Sequence, residues 1–194
     1  MSYRACILIA LVLCLAAPAA SQAACNAPSG SFTGSTQQLF DRRFEETSCS
    51  AWHFTNGATR SYEADTCNDS YMGGYEAKMS GASGAAVTRT VYQDINLPYE
   101  YSHFDVYFRV NIQGSMTAWD RLRVTIRNPS TNAELETVTV VAGHQSSLNC
   151  TQISKSLTGD YSGTTVRLRF ESTIWTGVAS DAFVIDEVGF YTSP

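Results

Sequence analysis

Charge is scarce in this chain. Only 16% of its 194 residues are Asp, Glu, Lys or Arg, and the acidic ones outnumber the basic by 18 to 13. A duplex-binding protein needs a basic footprint, so this balance argues against nucleic acid as a partner. Long apolar runs are missing beyond the first two dozen residues, and no transmembrane segment is expected in the mature chain. There is no Cys-x-x-Cys pair, and His53, His103 and His144 do not cluster with cysteines, which removes the familiar zinc ligand sets. Gly-x-Ser-x-Gly and His-Glu-x-x-His are both absent. The nearest string, Ser80-Gly81-Ala82-Ser83-Gly84, reads as a turn, so no hydrolytic triad is indicated. No internal repeat or low-complexity tract occurs, which disfavours a solenoid or propeller. Aromatic residues at 11% set the composition apart from that of disordered chains.

What is present begins with a leader. Arg4 supplies a positive start, residues 6–17 an apolar stretch too short to span a bilayer, and Ser21-Gln22-Ala23 a small-x-small cleavage site. Residues 1–23 are therefore expected to be a signal peptide, leaving twelve basic against eighteen acidic residues. Secretion is the expected destination; a lipid anchor on Cys25 fits less well, because Gln22 sits where an aliphatic residue is wanted. Cys25, Cys49, Cys67 and Cys150 survive cleavage, an even number in an exported chain, which reads as two disulfides. Three pairings are open. Cys49–Cys67 with Cys25–Cys150 is favoured, since the first closes a short loop and the second ties down the N-terminal segment. Asn68-Asp69-Ser70 and Asn149-Cys150-Thr151 are glycosylation sequons, used only in a host with that machinery.

Residues 24–36, rich in Ser, Gly and Thr, are expected to form a flexible segment, and residues 37–194 one domain in which the dominant period is two. Along 103–112, Phe104, Val106, Phe108, Val110 and Ile112 fall on one face and polar residues on the other, the mark of a strand buried on one side. Residues 121–127 and 165–171 repeat the pattern, burying Leu122, Val124, Ile126 and Val166, Leu168, Phe170. Residues 136–141 are β-branched but alternate less cleanly, and 182–191 form a final apolar strand. Gln113-Gly114-Ser115, Asn128-Pro129-Ser130, Ala142-Gly143 and Thr158-Gly159-Asp160 are turn signals between them. No mature segment carries a helical stripe. The expected fold is all-β: a two-sheet antiparallel sandwich of jelly-roll topology. An immunoglobulin-like sandwich is disfavoured for want of its Cys–Trp–Cys arrangement.

Two stretches carry a family pattern. Phe44-Glu45 followed by Cys49 and Trp52 resembles the opening of MAM domains, and Asp181-Ala182-Phe183-Val184-Ile185-Asp186-Glu187-Val188 resembles their closing strand. Tyr71-Met72 and the Gly/Ser-rich residues 80–86 fit the same family. The closing strand and the segment 157–170 also resemble galactose-binding-like carbohydrate-binding modules. The resemblance spans about residues 40–192, although Glu187 replaces the second Asp of the MAM pair and a lone Cys150 replaces the usual later cysteines. It implies a jelly roll that binds carbohydrate or mediates adhesion at a cell-surface glycan or protein. It also implies a structural calcium ion held between Glu45 and Asp186, with Asp65 as a further ligand.

Period-two counting places Asp186 on the face of Val184, Val188 and Phe190. A carboxylate turned to a core needs a partner or a cation, and oxygen-rich sites of that kind suit Ca²⁺. Trp119 and Trp175, each at a strand–loop boundary, are the expected sugar-stacking platform; Trp52 is assigned to the core. Arg109, Arg121, Arg123, Arg127, Arg167 and Arg169 point outward from three strands. Were those strands neighbours, they would form a patch with Tyr107, His103 and Asp105 nearby, with Tyr107, Arg109 and Arg123 as further ligand contacts for acidic sugars. Two other roles fit parts of the pattern. Tyr107, His103, Arg109 and Asn111 share one strand face, as the base, acid and neutralising groups of a jelly-roll polysaccharide lyase acting on uronate polymers would. A structural or protein-adhesion subunit is the third possibility.

Overall fold

The computed structural model describes residues 31–32, 35–40, 44–45, 51–62, 74–145 and 150–194. Twelve strands are formed: β1 (Ser31–Phe32), β2 (Ser35–Gln37), β3 (His53–Thr55), β4 (Thr59–Tyr62), β5 (Tyr75–Ser80), β6 (Val87–Asn96), β7 (His103–Gln113), β8 (Arg121–Arg127), β9 (Glu134–Ala142), β10 (Thr151–Ser156), β11 (Thr165–Ile174) and β12 (Ala182–Ser193). No helix occurs among the described residues. Every pairing is antiparallel, and the strands make two sheets. The five-stranded sheet runs β3-β6-β11-β8-β9. In the seven-stranded sheet β12 is the hub, lying against β7 along one edge and against β5 and then β2 along the other, with β4, β10 and β1 outside them. The expected two-sheet jelly-roll sandwich is what forms.

The alternation in the sequence supplies the core. Phe104, Val106, Phe108 and Val110 of β7 meet Val166, Leu168 and Phe170 of β11 and Leu122, Val124 and Ile126 of β8, all at most 2% exposed. Phe108 and Phe170 join the two sheets edge to face, with centroids 5.2 Å apart. Trp52 packs at the same level, as expected, against Phe44 and Phe170. Strand β9 alternates poorly because its pairing with β8 shifts twice, between Val124 and Thr125 and between Ile126 and Arg127. Each shift adds a residue to β9, so that Val138 is buried while Leu135 and Val140 on the same strand are about half exposed.

The same device overturns the expected orientation of Asp186. Ile185 pairs with Val110 and Asp186 with Arg109, but the next partner pair is Gly189 with Tyr107, so β12 carries one extra residue there. Glu187 takes a left-handed backbone, φ 46°, to accommodate it. Parity therefore reverses: Phe183, Ile185, Val188 and Phe190 point to the core, and Asp186 lies with Arg109 on the outer face. Period-two counting fails at a bulge, and no carboxylate is turned inward at this position. A second expectation also fails. Strand β7 belongs to the seven-stranded sheet and β8 and β11 to the other, so Arg109, Tyr107, His103 and Asp105 are separated from the remaining five arginines.

From β9, Glu136 clasps the segment that crosses from β10 to β11. Its carboxylate accepts hydrogen bonds from the backbone N–H of Thr158 (2.9 Å) and Gly159 (3.1 Å) and from the hydroxyls of Thr158 (3.1 Å) and Tyr161 (2.8 Å). Burial works to raise the pKa of this carboxyl, but the donors outweigh it and hold the group below its ordinary range. Burial and the same carboxylate push the Tyr161 phenol up. A depressed folded-state pKa means that the clasp stabilises above the ordinary glutamate pKa and is lost as pH falls through the folded value. Glu136→Gln is expected to cost about 1–3 kcal/mol at neutral pH. In thermal melts the gap between the two proteins should narrow as the solution is acidified below the glutamate range; a gap independent of pH would refute the assignment.

Candidate functional site

Two loops meet at one end of the sandwich, 114–120 between β7 and β8 and 175–181 between β11 and β12. Each presents an indole to solvent: Trp119 is 70% exposed and Trp175 61%. Together with Thr117 and Thr176 they line a groove of about 580 Å³. Large apolar side chains left in water cost free energy, so a pair of them sharing a groove points to a ligand that covers them.

The groove is rigid because two carboxylates are buried beneath it. Asp120, with no exposed surface, accepts from the Thr117 N–H (2.6 Å) and hydroxyl (2.9 Å) with one oxygen, and from the Trp175 N–H (2.6 Å) with the other. It is therefore the bridge between the two loops. Burial alone would raise its pKa; the donors from Thr117, Trp175 and Thr176 prevail and lower it. Asp181, 1% exposed, makes a second bridge, accepting from the Ser115 N–H (2.9 Å) and the Thr176 hydroxyl (2.7 Å). Both groove threonines thus spend their hydroxyl protons on carboxylates beneath the wall. Close backbone packing completes the seat. A Cβ at Gly143 would lie 2.7 Å from Met116 and 2.8 Å from Asp120 side-chain atoms, and one at Gly81 would lie 2.2 Å from the Val178 carbonyl oxygen.

The other expected contacts do not join this groove. Tyr107 and Arg109 lie on the outer face of the seven-stranded sheet, where Tyr107 stacks on Tyr191 with centroids 5.3 Å apart and Arg109 pairs with Glu187 at 2.9 Å. Arg123 lies on the other sheet, paired with Glu134 at 2.7 Å. The lyase constellation keeps its shared strand face, since His103, Tyr107, Arg109 and Asn111 alternate along β7. However, Arg109 is engaged with Glu187 and Asn111 is only 8% exposed.

Of the calcium ligands the resemblance implies, Glu45 accepts from the Tyr75 N–H at 2.8 Å. Tyr75 stands two residues along β5 from Ala77, the partner of Ile185, so Glu45 and Asp186 come to one stretch of the β5–β12 ladder. Asp186 accepts from the Glu187 N–H at 2.7 Å. The backbone carbonyls of Phe44 and Glu45 are taken by the Arg60 guanidinium. Two carboxylates suit a hard cation in kind but fall short of the six to eight oxygens that calcium takes. Among the described residues no group of three or more His, Cys, Asp or Glu side chains is gathered to hold a metal. Asp65, both sequons' asparagines, and Cys25, Cys49 and Cys67 lie outside the described residues. Cys150 is disulfide-bonded.

The sequence matches no protein-family model and no curated protein. Solved structures do resemble the fold. TmCBM61, determined in complex with β-1,4-galactotriose, aligns at 12% identity and TM-score 0.58, over 81% of this chain and 99% of its own. The CBM22-1 xylan-binding domain of Xyn10C from Paenibacillus barcinonensis aligns at 15% identity and TM-score 0.50, over 87% and 98%. The fold is that of carbohydrate-binding jelly rolls. A cyclase from Fischerella sp., in its apo form, shares it at 9% identity and TM-score 0.55, over 84% and 98%, so the architecture alone does not fix an activity.

Sequence reading found the two tryptophans but missed the groove threonines and the carboxylates beneath them. The signal was present: an Asp directly follows Trp119, and Asp181 closes the loop that Trp175 opens. Replacing Asp120 by Ala would strand buried N–H groups on both loops, at a cost of about 2–4 kcal/mol. Amide exchange should accelerate at Thr117 and Trp175 while Phe108 and Leu168 in the core stay protected. Unchanged exchange at those two loop amides would show that the carboxylate is not the bridge.

Proposed function

We propose that the protein is an exported, non-catalytic carbohydrate-binding module whose ligand lies in the Trp119–Trp175 groove. The observation that carries this reading is the pairing of two exposed indoles with buried anchors: the backbone of both aromatic loops is tied to the carboxylates beneath them. A pyranose ring has an apolar face that stacks on an indole, and a preorganised platform keeps the entropy cost of binding low. Among the described residues no charged side chain lines the wall, which suits neutral sugars. Folds of similar shape include one solved with galactotriose and one described as xylan-binding, and both support the same reading. Trp119→Ala and Trp175→Ala should each weaken retention on β-1,4-galactan or xylan by about tenfold or more, since roughly 1.4 kcal/mol of lost stacking suffices. Intrinsic fluorescence titration and affinity electrophoresis would read this. Equal retention of wild type and both variants, or no retention on any neutral glycan, would overturn the proposal.

The export signal, two disulfides and a structural calcium ion belong to the same reading. Glu45 and Asp186 would hold the ion, which would tie the start of the domain to β12 and take no part in binding. Chelation should then lower the melting temperature of the wild type, and Asp186→Asn should abolish that response. Identical melts with EDTA and with calcium would remove the ion from the account.

A further inference from the structure

The outer face of the five-stranded sheet holds a cluster that the groove does not explain. Arg121, Arg123 and Arg127 of β8 and Arg167 and Arg169 of β11 point to this side, with Asp94, Glu134 and Glu171 as its carboxylates. Among the described residues five cations meet three anions there, on a chain whose net charge is −5. Arg127 and Arg167 stand directly opposite each other in register, and Arg169 is diagonal to Arg127. Like charges placed across from one another destabilise a sheet.

The carboxylates sit at the margins of this trio. Asp94 takes Arg167 from the β6 side through two contacts, at 2.7 and 2.9 Å. Glu134 lies on the β9 side and is shared, 2.7 Å from Arg123 but 3.4 Å from Arg127. Glu171 holds Arg169 from two residues along the same strand. The three side chains are largely covered, only 14%, 17% and 16% exposed for Arg127, Arg167 and Arg169. Beneath them Thr125 and Thr90, at 2% and 3% exposure, receive hydrogen bonds from Arg127 (3.1 Å) and Arg169 (3.4 Å). Burial, and then the charges of Arg127 and Arg167, pull the Arg169 pKa down against the opposing pull of Glu171.

We propose that Arg127, Arg167 and Arg169 form a second binding site, for the carboxylate or sulfate group of an acidic glycan. Asn132 now accepts from Arg127 through its carbonyl (2.9 Å) and from Arg169 through its side-chain oxygen (3.4 Å); an oxyanion displacing it would add the negative charge that this amide lacks, and guanidinium groups suit both carboxylate and sulfate. A phosphate polymer is a poorer match, because an excess of two cations on an acidic chain cannot offset the repulsion of a nucleic-acid backbone. The site is separate from the groove: Arg127 is six residues along β8 from the Trp119 loop, about 20 Å at the usual rise.

Calorimetric titration with tetragalacturonate, with a sulfated galactan oligosaccharide and with neutral galactotriose tests this and tells a uronate from a sulfate ester. One of the charged probes should bind, and more weakly as ionic strength rises. Arg127→Gln should reduce that affinity roughly tenfold while leaving galactotriose binding within about twofold, because the two sites are too far apart to couple. It should also leave the melting temperature of the ligand-free protein unchanged or raised, since a repulsion is removed; a residue with a purely structural role would lower it. The proposal is overturned if neither charged probe binds, if both bind Arg127→Gln as they bind wild type, or if Trp119→Ala abolishes their binding instead. Equal affinity for a short DNA duplex would overturn the glycan assignment. Failure of galactotriose to bind while a charged probe does would sink only the groove reading.

Discussion

A carboxylate with no exposed surface holds the loop end of this protein together. Asp120 can stay buried and ionised only because donors from two loops converge on it, and their convergence is what sets the two indoles side by side. Desolvation makes an unsatisfied carboxylate so costly that the loops cannot separate without exposing it or protonating it. Asp181 repeats the arrangement and adds Ser115 and Thr176 to the tie. The aromatic groove is therefore as stable as the polar network under it, and that network is anchored to β8 and β12 through the chain itself.

Much of the fold was legible from period-two alternation, because a sandwich strand buried on one face writes that pattern directly into its sequence. Strands β7, β8 and β11 were found in this way with their inward faces correct. Strand β6 alternates as well, but Arg89 and Gln93 stand among its inward positions and blur the contrast. Strand β12 was recognised, yet its parity was misjudged beyond Asp186. A one-residue bulge leaves no mark in composition, and Glu187 gives no hint of the left-handed backbone it adopts. Which strands share a sheet is likewise not local information, and for that reason Arg109 was grouped with arginines that belong to the opposite layer.

At the site, the tryptophans were visible because a large aromatic among Thr, Ala, Asp and Gly is out of place in a loop. The aspartates were not, since an acidic residue in a turn is ordinary; only the donors gathered round it reveal its role. The arginines show the converse. Their number was evident in the sequence, but the opposed pair Arg127 and Arg167 depends on register, which only the paired strands supply. One architecture thus keeps two kinds of surface apart, an uncharged aromatic groove at the loop end and a cationic patch on the wet side of a sheet.

The twice-shifted pairing of β9 has a consequence for the molecule among its own kind. This strand forms an outer border of its sheet and is rich in Val and Thr, the make-up that invites another chain to add on. Its two irregularities break the even row of amides and carbonyls such an addition would need, and Glu136 pulls a crossing segment over part of the border. The border of this sheet is thereby guarded against strand addition by a second copy.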